Sequence, residues 1–64
     1  MQKLTMKQAR VGAGMSQEDA AEAMNIHVTT YIKYERHPET MRVGQAQKFC
    51  EVVGADFEDV IFLS

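Results

Sequence analysis

Apolar positions along the chain recur at three and four residues rather than at two. Met6, Ala9 and Ala13 fall at i, i+3 and i+7 behind Thr5-x-x-Gln8, a pair in which the hydroxyl and the amide can each satisfy an orphan N–H at a helix start. Gly14 supplies a left-handed residue to close the segment, and the pattern predicts a first helix over about Thr5–Ala13. Ser16-x-x-Asp19 repeats the capping signature, with Glu18 and Asp19 at the positive end of the helix dipole and Ala20, Ala21, Ala23 and Met24 as a narrow apolar face. Asn25 tolerates left-handed geometry and ends that helix. A three-residue connection, Asn25-Ile26-His27, leads into Val28–Arg36, where Tyr31 and Tyr34 stand at i, i+3. Its β-branched residues also suit a short strand, but the tight connection and the tyrosine spacing predict a helix.

Pro38 has no backbone N–H and restricts His37, so Arg36–Arg42 reads as a loop. Val43, Ala46, Phe49, Cys50 and Val53 form one stripe over about Val43–Val53, with Gly54 as its stop. Asp56 is placed to cap a fifth helix over about Phe57–Leu63, whose Phe57, Val60, Ile61 and Leu63 are apolar. The expected fold class is all-α: one domain, residues 1–64, built as a bundle of five short helices.

Length and charge narrow the functional classes. Sixty-four residues leave a thin core and argue against a large enclosed active site. The single Cys50 cannot form an internal disulfide, which fits a reducing, cytoplasmic setting. No apolar run reaches the length of a membrane span, and Met1–Met6 lacks a signal-peptide apolar region. The net charge of −2 is unevenly distributed. Residues 1–42 carry six cations against five carboxylates, a net of +1, whereas residues 43–64 carry Lys48 against four carboxylates, a net of −3. Contact with a polyanion therefore belongs to the first two-thirds.

Catalytic and metal readings fare poorly. His27, His37 and Cys50 match no zinc-ligand spacing, so no metal or cofactor is expected. Cys50 shares the apolar stripe with Phe49 and reads as a core thiol, and Gly12 and Gly14 lack the surroundings of a phosphate loop. The five methionines read as core filler. The expectation is a non-enzyme with no small-molecule substrate.

The informative unit runs from Ser16 to Glu35: capped helix, three-residue turn, second helix. Ser16-Gln17-Glu18-Asp19-Ala20-Ala21, then Asn25-Ile26-His27, then Tyr31-Ile32-Lys33-Tyr34-Glu35 resembles the helix-turn-helix of the phage repressor and Cro family, the XRE-like regulators with a lambda-repressor-like domain. The resemblance extends from about Met6 to Leu63 and includes Arg10 and Val53-Gly54. Departures are present as well: Ala20 for the usual Leu, Asn25 for Gly, His27 where a Ser commonly caps, and Arg36-His37-Pro38 for an Asn-Gly turn. Ala9 and Ala20 imply an under-filled core unless the tyrosines and methionines supply volume.

The resemblance implies a double-stranded-DNA-binding regulator whose second helix enters the major groove. Val28, Thr29 and Lys33 would meet base edges, and Ile32, apolar on the outward face, suits a thymine methyl. Ser16, Gln17, His27 and Thr30 would lie near phosphates, joined by the cations Lys7, Arg36 and Arg42. In this family an arginine of the first helix pairs with the glutamate ending the recognition helix, which implies an Arg10–Glu35 ion pair. A phage or prokaryotic repressor acting as a homodimer on its operator is expected, with Val43, Phe57, Val60 and Ile61 at the dimer interface. The alternative is an antitoxin or other protein-interaction module whose acidic C-terminal third binds a basic partner.

Overall fold

The computed structural model describes residues 3–62, in the order β1 (Leu4–Thr5), α1 (Met6–Gly12), α2 (Gln17–Met24), α3 (Val28–Arg36), α4 (Val43–Val53) and β2 (Val60–Ile61). Short 3-10 turns occupy Pro38–Thr40, inside the segment expected to be a loop, and Phe57–Asp59.

Both capping boxes form. Thr5 Oγ1 accepts from the Gln8 amide at 3.1 Å while Gln8 Oε1 accepts from the Thr5 amide at 3.0 Å. Ser16 Oγ and Asp19 Oδ2 make the reciprocal bonds at 3.0 and 3.1 Å. Asn25 closes α2 in the left-handed region at φ 59°, and Gly54 closes α4 at φ 72°. His27 caps α3 with its ring: Nδ1 accepts from the Thr29 amide at 3.2 Å. A cap made through Nδ1 needs that nitrogen unprotonated, so the neutral ring carries its proton on Nε2.

Helices α2, α3 and α4 pack around Tyr31 and Phe49, both fully buried, with Met6, Ala9, Ala20, Ala21, Met24, Cys50 and Val60 completing the core. The aromatic rings compensate for the three alanines. Tyr31 and Phe49 tilt against one another at 6.2 Å between centroids, and Phe62 meets Phe49 edge-on at 6.3 Å and stacks on Phe57 at 5.2 Å. Met15 and Met41 are half-buried; Met1, expected to fill core, lies outside the described residues.

The expected fifth helix is corrected. After the 3-10 turn the chain extends, and β2 pairs in parallel with β1, Leu4 opposite Val60 and Thr5 opposite Ile61. β-Branched Val60 and Ile61 favour the pleated backbone, and burial alternates with period two, Val60 inward and Ile61 outward. Asp56 makes no side-chain cap, and Leu63, the expected helix end, lies outside the described residues. Among the described residues the fold is mostly helical, with four α-helices rather than five.

Candidate nucleic-acid interface

Two faces of α3 have opposite characters. Tyr31 is buried and Tyr34 packs on the core, while Thr29, Lys33 and Arg36 are exposed. Ile32 is half-buried and is not among the side chains packed on the core. Thr30 is half-buried, as is Val28, which leans back onto the core, so its expected outward position is only partial. The Lys33 ammonium lies 5.4 Å from the centre of the Tyr34 ring, a cation–π contact that restrains an otherwise free side chain.

The orientation of α3 is fixed at its other end by Glu35. Oε2 accepts from Arg10 Nε and from the Tyr31 hydroxyl, each at 2.6 Å, and Oε1 accepts from Gln17 Nε2 at 3.2 Å. Arg10 Nη1 also donates to the Met15 carbonyl at 2.9 Å. One carboxylate thus ties α1, the start of α2 and α3 together, and the two charged side chains are only 10% and 8% exposed. Among the described residues no buried side-chain nitrogen or oxygen lacks a partner.

The electrostatics follow from this arrangement. Burial pushes the Glu35 carboxyl up, but hydrogen bonds from Arg10, Tyr31 and Gln17 and the charge of Arg10 outweigh it, leaving the carboxyl below its ordinary value. The bond to Glu35 raises Arg10 against its own desolvation. Burial, then Glu35, pushes the Tyr31 hydroxyl up, so it remains a donor. The Cys50 thiol is raised by burial and by the charge of Asp56.

The other sequence-derived positions separate into distinct groups. Arg10 and Glu35 are brought together, whereas the Tyr31 and Gln17 contributions were missed; the i, i+4 spacing of Tyr31 and Glu35 was the available signal. The Ser16 hydroxyl is engaged in its cap and Gln17 in Glu35. Lys7, Arg36 and Arg42 are exposed and form no ion pair among the described residues. Of the expected dimer contacts, Val43 is 67% exposed and Phe57 and Ile61 are also exposed. Val60 is a correction: at 4% exposure it is spent inside the core, where β-pairing with Leu4 turns it, and cannot meet a partner.

Among the described residues no helix is long and apolar enough to cross a membrane, and no cluster of His, Cys, Asp or Glu is arranged to hold a metal. A family model described as helix-turn-helix matches residues 6–60. No curated protein and no solved structure matches the chain.

Proposed function

The chain belongs to the helix-turn-helix family of Cro- and C1-type, XRE-like DNA-binding regulators, and from that membership we propose that it reads a specific duplex sequence with α3 and represses transcription in the cytoplasm by occupying its operator as a homodimer. The observation that carries this reading is the exposed row Thr29, Lys33 and Arg36 on a helix whose opposite face is anchored through Glu35. A major groove roughly 12 Å wide admits one such helix. Thr29 and Lys33 reach base edges, Ile32 meets a thymine methyl, and Val28 contributes the rim of its side chain. Phosphates lie against Lys7, Arg36 and Arg42, with Ser16, Gln17, His27 and Thr30 alongside. The His27 ring suits this position, since capping through Nδ1 leaves an Nε2 proton to donate.

The test selects bound duplexes from a random pool and repeats the selection with Lys33→Ala. Loss of preference at one position, worth about 1–3 kcal/mol of discrimination, identifies Lys33 as a base reader. Equal weakening on all sequences makes it a phosphate contact. The net charge of −3 over residues 43–64 favours a second reading, a module that binds a basic protein; it predicts no salt-dependent retention on random duplex DNA.

A further inference from the structure

Lys33 and Tyr34 are neighbours in α3, and neighbours on a helix point about 100° apart, so nothing in the helix itself brings their side chains together. The Lys33 ammonium nevertheless lies 5.4 Å from the centre of the Tyr34 ring, inside the ~6 Å over which a cation is drawn to an aromatic face. No carboxylate of α3 is free to compete for it. The positions one turn away, Thr29, Thr30, Arg36 and His37, include no acid, and Lys33 forms no ion pair among the described residues. Glu35, two residues on, is engaged by Arg10, Tyr31 and Gln17. The ring is the better fixed of the two partners: Tyr34 is half-buried and packs against the core, whereas Lys33 is exposed. A mobile cation is thus held on an anchored platform.

We propose that Tyr34 is a specificity-determining positioning residue, whose ring holds the Lys33 ammonium toward one base pair of the duplex and so turns a general cation into a reader. A lysine ammonium is a point charge on a flexible four-carbon stem, and left free it serves any phosphate within reach. Reading a base requires one location, and a side chain already restricted loses less freedom on reaching it. Attraction to the phosphate backbone acts without regard to sequence. The ring therefore raises discrimination between sequences and leaves the sequence-independent affinity alone. The ring face performs this role, so phenylalanine can serve in place of tyrosine. The role rests on Lys33 reading a base, as proposed above.

The experiment measures affinity by fluorescence anisotropy for the duplex that the whole chain selects, for the same duplex changed one base pair at a time, and for a random duplex. It compares the whole chain, Lys33→Ala, Tyr34→Phe, Tyr34→Leu and the Tyr34→Leu, Lys33→Ala double variant. At the base pair where Lys33→Ala loses preference, Tyr34→Leu is expected to cut discrimination by about two- to fivefold, the worth of one exposed cation–π contact. Its affinity for the random duplex and its salt slope stay at parent values, because no cation is lost. Tyr34→Phe retains the discrimination, and Tyr34→Leu has no further effect once Lys33 is alanine. Losses spread equally over all base pairs, a Tyr34→Phe as poor as Tyr34→Leu, or an undiminished effect without Lys33 would overturn the role. Should Tyr34→Leu fail to fold, proton NMR of the parent decides: the Lys33 Hε protons should lie upfield of those of the exposed Lys7 and Lys48, shifted by the ring, and remain so in Tyr34→Phe. Hε shifts equal to those of the other two lysines overturn it. If Lys33→Ala weakens every duplex equally, the base-reading role of Lys33 itself fails, and that of Tyr34 with it; a preference lost in Lys33→Ala and untouched in Tyr34→Leu removes Tyr34 alone.

Discussion

Removing Arg10 strands a carboxylate. In Arg10→Met the Glu35 side chain, only 8% exposed, keeps the Tyr31 and Gln17 donors but loses its counter-charge. Breaking a buried pair from one side costs about 3–5 kcal/mol, because the survivor is charged and desolvated. At roughly 0.05–0.15 kcal/mol per residue, a chain of this length has a total stability of about 3–10 kcal/mol. Arg10→Met is therefore expected to remove a third or more of it. Glu35→Gln leaves the guanidinium with the Met15 carbonyl and a neutral amide, and is expected to cost somewhat less. The double variant holds no unpaired charge, so its cost should fall short of the summed single costs by about 1–3 kcal/mol. Urea unfolding followed by far-UV circular dichroism measures all four proteins. Should Arg10→Met be unfolded without urea, Tyr31→Phe against Glu35→Gln gives an equivalent cycle. Tyr31→Phe loses one bond to a charged acceptor, about 1.5–3 kcal/mol. Costs that add to within about 0.5 kcal/mol in both cycles would refute the claim that Glu35 joins these residues as one unit.

The same carboxylate sets an acid response. Because folding holds Glu35 below its ordinary value of 4.5, the unfolded chain binds the proton first. The stability from Glu35, complete above that value, is lost as pH falls toward the folded one; unfolding midpoints measured from pH 6 to 3 should decline less in Glu35→Gln than in the parent. Gly54 stands at φ 72° with open space around it, so Gly54→Ala should cost about 1–2 kcal/mol, purely from backbone conformation. A cost near zero in urea unfolding would show that the end of α4 relaxes. If the dimer forms on DNA with half-sites one helical turn apart, about 34 Å, inserting half a turn between them should abolish tight binding in a gel-shift titration. Unchanged affinity would mean that each chain binds alone.

The helices were legible in the sequence because their boundary chemistry is local. Thr5 with Gln8, Ser16 with Asp19, Asn25 and Gly54 each act within a few residues of their own position. The end of the chain was not legible, because Val60 and Ile61 take their conformation from Leu4 and Thr5, which a local window cannot contain. Read alone, Phe57, Val60 and Ile61 at i, i+3 and i+4 imitate a helix face. The same limit applied to the interface. Resemblance brought Arg10 and Glu35 together, but that Gln17 turns inward to Glu35 depends on how α2 crosses α3. Val60 was misplaced for a related reason: an apolar residue in an outward helix would be available to a partner, whereas in β2 it faces the core.

The pairing of β1 with β2 also has a kinetic meaning. Joining Leu4 to Val60 closes a loop of about 56 residues, at an entropic cost on the order of 4 kcal/mol. Two residue pairs, with hydrogen bonds worth about 1 kcal/mol each, cannot offset that by themselves. The strands therefore zip only after α1 to α4 have collapsed and carried the ends close together, and they contribute little to the folding transition state. In native-state hydrogen exchange the Val60–Ile61 strand accordingly belongs to a sub-global opening lower in free energy than the unfolding of α3. That opening releases Val60 from the core while the Glu35 cluster stays closed, so β1 and β2 can part without disturbing α3.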